Sequence, residues 1–206
     1  MVNQNVIDDL KYARDLAQEG VNTPLVGGRI GLMWGILLAI VFFAQWAVLS
    51  KVLTIPVSNL IYFWIAFAVI GGAGTALLGR KAAEMEGAHS VGNKVDGTVW
   101  GMFSLMMGTL FLGVLLNVAL NSGSPTLFSV MLPVGFAGQA LAYGLVARIS
   151  KIRWMNLAML ANCLCSIICF VFYGSVTVYL IGSIGVILTV VIPSLIIIKQ
   201  EPNHDV

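Results

Sequence analysis

Cys163, Cys165 and Cys169 stand close together, and Met155, Met159 and Cys163 recur at i, i+4 and i+8, the spacing of one helical face. Thioether and thiolate ligands so placed suit a soft ion such as Cu(I). The cysteines lack the Cys-x-x-Cys spacing of a dithiol oxidoreductase, and they fall inside an apolar stretch, whereas a reactive thiolate forms at an aqueous face. Buried Met and Cys serve far more often as adaptable packing residues. Glu86 and His89 show the i, i+3 spacing of carboxylate–histidine metal ligands, with Glu84 nearby and His204-Asp205 in the tail. The plainer role for these residues is a solvated loop. The sequence therefore assigns no metal, no cofactor and no catalytic residue.

A different set of residues is polar but uncharged. Gln45, Asn59 and Asn117 lie in the outer half of the apolar stretches, Gln139, Asn162 and Ser166 lie nearer their middle, and Ser183 and Thr189 complement them. Asn162 shares a helical face with Ser166, as Gln139 does with Tyr143. A neutral file of this kind passes water or a small neutral solute, or it ties helices together at roughly 0.6 kcal/mol per hydrogen bond. Gln139, Asn162, Asn117, Gln45 and Ser166 are the candidate pore-lining or interhelical residues. Small residues form a third pattern. Gly27, Gly31, Gly35 and Ala39 make one ridge, Ala68, Gly72 and Ala76 another, and Gly97 with Gly101 a third. Ridges at this spacing let helix backbones approach in lipid, for packing within the bundle or for a homo-oligomer.

The elements that carry these residues follow from composition. Of 206 residues 59% are apolar and 10% charged, and the mean hydropathy is +0.95. Soluble domains run near 45–50% apolar and about 25% charged. A net charge of +2 is too weak and scattered for nucleic acid. Stretches free of charge locate six helices, each near the ~20 residues that a crossing needs, at 30–50, 56–79, 98–120, 125–147, 154–173 and 176–198. The breaks fall at Asn121-Ser122-Gly123-Ser124-Pro125 and Tyr173-Gly174-Ser175, where Ser, Gly and Pro mark turns. Pro133 and Pro193 interrupt the hydrogen-bond ladders of the fourth and sixth helices.

Charge sets the orientation. With the N-terminus in the cytoplasm, Lys11, Arg14, Arg29, Arg80, Lys81, Lys94, Arg148, Lys151, Arg153 and Lys199 lie inside and Lys51 alone lies outside. Both termini are then cytoplasmic, and the lack of an Asn-x-Ser/Thr sequon suits a bacterial inner membrane. Residues 1–20 are too charged for a signal peptide. They read as a cytoplasmic amphipathic helix with Val6, Leu10, Ala13 and Ala17 on one stripe. The organisation is thus that helix over 1–22, a six-helix transmembrane bundle over 23–199 and a cytoplasmic tail over 200–206.

Absent ionisable residues narrow the function. No acidic, basic or histidine residue falls inside the six stretches, which argues against a carboxylate-driven proton pump, a Schiff-base pigment and a buried bis-histidine haem. Intramembrane proteolysis lacks its residues too. Asp96-Gly97 resembles the motif of phospholipid-synthesising alcohol transferases, but the further carboxylates and the arginine do not follow. The expectation is a protein that is not an enzyme.

Asn22-Thr23-Pro24-Leu25, followed by Gly31-Leu32-Met33, resembles in part the Asn-Pro-Ala-Pro-Leu-Gly-Leu signature of the succinate–acetate permease family. Those are six-span proteins of similar size with cytoplasmic termini. The match lies within residues 22–33, Val26 to Ile30 interrupt it, and Ile70-Gly71-Gly72-Ala73-Gly74 stands where that family carries a polar signature, so membership does not follow. Two functional expectations remain. One is a small uncoupled channel or facilitator for a small neutral solute, with Gln139 and Asn162 at its narrow point. The other is a non-transporting accessory, scaffold or regulatory membrane subunit, whose partner docks on the cytoplasmic face or on the N-terminal helix.

Overall fold

The computed structural model describes residues 24–201, so the expected amphipathic helix at 1–20 and the tail from 202 lie outside the described residues. Within them the chain is helical and no strand occurs. Helix α1 runs Gly28–Leu49, α2 Leu60–Ala83, α3 Val91–Leu120, α4 Met131–Ile149, α5 Met155–Val171, α6 Thr177–Val186 and α7 Ile192–Gln200. Short 3-10 turns, Val57–Asn59 and Pro125–Val130, lead into α2 and α4, and a π-helical segment, Ile187–Val191, joins α6 to α7. Five of these helical stretches are long and apolar enough to cross a membrane, and α5 is a shorter apolar helix of 17 residues. The architecture is that of an α-helical membrane protein.

Local chemistry explains the boundaries. Ser90 caps α3 by accepting the Asn93 backbone N–H, so that helix begins at Val91, well before the expected 98. Asp96, ahead of the charge-free stretch, sits inside the helix and is buried. Gly174, at φ 78°, makes the turn after α5 in a backbone region that most side chains avoid. Pro193 has no N–H to donate to the carbonyl of Thr189, and its ring crowds that carbonyl. The helix widens to π geometry just ahead of it, over Ile187–Val191. Pro133, at the start of α4, sits where a 3-10 turn gives way to α-helix.

Packing is uneven. Helices α4 and α5 form the most extensive pair, running antiparallel from the turn at residues 150–154, and α1 packs along α6, the π segment and α7. In that second seam an added Cβ at Gly28 would meet Ile197 and Ile198, at Gly31 Ser194, and at Gly35 Val190 and Val191, all at 2.5–3.3 Å. The Ser183 hydroxyl closes it by donating to the carbonyl of Ala39 at 2.8 Å. Helix α2 lies mainly against α1 and α3 mainly against α4, and only 6% of the apolar window of each is buried. Along α1 and α2, Trp34, Phe67, Trp64 and Phe42 stack edge to face at 5.0–5.9 Å. Trp34 donates to Thr75 at 2.9 Å, and Trp64 to Gln45 at 3.1 Å.

Candidate functional site

Two apolar clusters fill the interior. One gathers Ala39 and Phe42 of α1, Leu132 and Phe136 of α4, Cys169 of α5, and Val178, Tyr179, Val186 and Val190 of the α6–π stretch. The other gathers Leu25, Tyr143, Val146 and Ala147 of α4, Met155 and Ala158 of α5, and Ile197 of α7. Two polar residues occupy the interval between them, and a third borders the first cluster. Gln139 lies on α4 between Phe136 and Tyr143. Asn162 lies on α5 between Ala158 and Cys169. Thr189 lies in the π segment at the edge of the first cluster, between Val186 and Val190.

Helix register puts these residues at one level. Ser166 of α5 donates to the Pro133 carbonyl of α4 at 2.8 Å, and Met159 of α5 covers Gly144 of α4, so Gln139 and Asn162 fall midway between the two contacts. Gly185, one turn before Thr189, faces both Phe136 and Cys165. Asn162 and Thr189 are fully buried and Gln139 is 6% exposed. The Asn162 amide nitrogen donates to the carbonyl of Ala158 at 2.9 Å, which orients the side chain and leaves Oδ1 facing away from its own helix turn. Gln139 Oε1, Asn162 Oδ1 and Thr189 Oγ1 have no hydrogen-bond partner among the described residues. A buried polar atom without a partner costs about 1–3 kcal/mol, so three at one level mark a place built to meet a further polar group.

The other sequence candidates go elsewhere. Ser166 and Gln45 are committed to Pro133 and Trp64. Asn117 is half-buried near the C-terminal end of α3 beside Gly123. Gly27, Gly31 and Gly35 all sit at close approaches, Gly27 to the Asp96 carboxylate. Gly72 meets nothing within 4 Å, and Gly71 and Gly74 take the contacts with α1, under Trp34 and Met33. Helix rotation decides this, since a ridge read at i, i+4 fixes a face but not which neighbour covers it. Met155 is buried, Met159 packs on Gly144 and Cys163 is exposed, so the expected soft-ligand stripe is divided. Glu84, Glu86 and His89 are exposed. Among the described residues no three His, Cys, Asp or Glu side chains cluster as a metal site.

A second polar group, where the chain enters α1, escaped the sequence reading. Asn93 accepts from the Val26 N–H at 2.9 Å, and its amide nitrogen donates to the carbonyl of Pro24 at 2.9 Å and to that of Gly87 at 3.0 Å. It thereby ties the segment entering α1 to the start of α3. One turn on, the Trp100 indole donates to Asp96 Oδ1 at 3.0 Å and packs edge-on against Tyr143 at 5.3 Å. Asp96 precedes the uncharged 98–120 stretch. Burial pushes its carboxyl from 3.8 up to about 6, with the Trp100 hydrogen bond pulling the other way. Ser90-x-x-Asn93 just before the apolar run was the available sequence signal for an early helix start. Nearby, Arg29 at the start of α1 pairs with Glu201 at the end of α7 at 3.1 Å. Burial raises the Glu201 carboxyl, and the Arg29 guanidinium opposes that shift.

No described protein family, no curated protein and no solved structure matches the chain.

Proposed function

We propose that the chain is a six-span membrane protein, with both termini cytoplasmic, that passes a small neutral solute through its bundle without energetic coupling. The observation that supports this reading is the polar level of Gln139, Asn162 and Thr189, drawn from three helical segments, whose three buried oxygens have no partner among the described residues. Interhelical glue accounts for Ser166, Ser183 and Gln45, each of which has its partner. It does not account for three buried oxygens that have none. Charge-free walls suit a neutral solute, because a bare ion would lose its hydration with no counter-charge to replace it. The test is solute entry into proteoliposomes holding the wild type or Asn162→Leu. Flux through the wild type and its loss in a variant that still folds are expected. Equal flux through both would end the reading.

A second reading, an accessory or regulatory membrane subunit, is favoured by α2 and α3. Each touches the bundle along one side, and Gly72, Gly79, Gly97, Gly101 and Gly108 face open space. Affinity recovery from native membranes in mild detergent would give a stoichiometric partner that Gly101→Val loses. Recovery of the chain alone would remove this reading.

A further inference from the structure

We propose that the polar level is a binding site for one small neutral molecule that donates hydrogen bonds, with the chemistry of water or ammonia, held by Gln139 Oε1, Asn162 Oδ1 and Thr189 Oγ1. The inference supplies the solute class for the facilitator reading and rests on it for the flux measurement, while bundle stability tests the site separately.

Chemistry selects the guest. All three free atoms are oxygens. The Asn162 oxygen is presented as an acceptor because the amide nitrogen is already used on Ala158. The Thr189 hydroxyl can turn, so it accepts from the guest or donates to its lone pair. A molecule with two or more N–H or O–H bonds and a lone pair satisfies such a set. A solute with acceptors alone does not. No ionisable residue stands at this level, and the nearest buried carboxylate on the inner side, Asp96, lies beyond Tyr143 among the residues that hold the entry to α1. The site is therefore neutral.

Backbone geometry points the same way. The π segment that carries Thr189 is forced by Pro193, four residues on, and single π turns within α-helices recur at functional sites. The widened turn is flanked by small groups, Gly185 on one side and Gly35 of α1 opposite Val190 and Val191.

Thr189→Val removes the hydroxyl and little else, and Thr189→Ser restores it. Full-length protein is purified in mild detergent for thermal unfolding. It is also reconstituted for ammonia entry, read by an internal pH dye, water permeability, read by light scattering, and radioactive sodium uptake. The site predicts that Thr189→Val melts below the wild type, since the guest loses a bond. Ammonia or water permeability above that of protein-free vesicles should fall about tenfold, the worth of one hydrogen bond, and should recover in Thr189→Ser. If Thr189→Val melts at or above the wild type, its hydroxyl bonded nothing and the site is overturned, whatever crosses the bundle. Sodium uptake that depends on Thr189 would overturn the neutral class in favour of a cation. No flux in the wild type, with Thr189→Val still melting lower, would end the facilitator reading and leave the site standing.

Discussion

Asp96→Asn isolates the electrostatics beneath the entry to α1. The Asp96 carboxyl is buried against Gly27, and one oxygen accepts the Trp100 N–H while the other faces the start of α1. Its acid constant moves from 3.8 in the unfolded chain to about 6 in the fold. Because the folded value is the higher one, the fold binds the proton more tightly. Stability is then greatest below 3.8, declines as pH rises and is lowest above 6, the reverse of a salt-bridged carboxylate. The interval between the two values corresponds to a cost of about 3 kcal/mol above pH 6. Asparagine has nearly the same shape, keeps an acceptor for Trp100 and has no charge to desolvate. The variant should therefore gain on the wild type by about 2–3 kcal/mol between pH 4 and pH 8, with the change centred near pH 5. Unfolding of both proteins in the same mixed micelles, followed by tryptophan fluorescence across that range, measures the difference. Every other titrating group is common to the two proteins and cancels. A difference that stays flat with pH would refute the reasoning, since it would mean that Asp96 keeps its solution acidity.

Two further outcomes follow from the packing. Asn93→Ala strands the Val26 N–H and the Pro24 carbonyl in a buried position, and it should cost about 2–4 kcal/mol and expose residues 24–27 to protease, read by unfolding and limited digestion. Gly35→Val should cost about 1–3 kcal/mol, because a Cβ there already meets Val191 Cγ2 at 2.9 Å and its backbone nitrogen at 3.3 Å. The same change at Gly101, which meets nothing within 4 Å, should leave unfolding unchanged, and equal losses at both positions would contradict the α1–α7 seam.

The helices were legible because lipid leaves a coarse signature. Uncharged stretches bounded by Arg29 and Lys51, or broken at Gly174, map closely onto α1 and the turn between α5 and α6. Helix α3 starts ahead of the charge-free stretch for a definite reason. Charge marks where the apolar region begins, and a capped helix accommodates Lys94 and Asp96 before it reaches that region. The site was only half visible. Gln139 and Asn162 stand out as amides in apolar helices, but nothing in their spacing distinguishes them from Gln45 or Asn117, which the fold sends to Trp64 and to an outer turn.

Composition and the asymmetry of charge are enough to make this a helical membrane protein, because a bilayer demands long apolar helices with their backbone bonds satisfied internally. They say little about which side of each helix faces inward. In a soluble helix water marks the outer face, but lipid is as apolar as leucine, so along α1 and the charge-free part of α3 the apolar pattern carries no direction. Rotation and pairing had to be decided by contact. Glycines admitted α7 against α1, Ser166 set α5 against α4, and Pro193 widened one turn. Those three-dimensional choices brought Gln139, Asn162 and Thr189 to one level and folded Asp96 under the entry to α1.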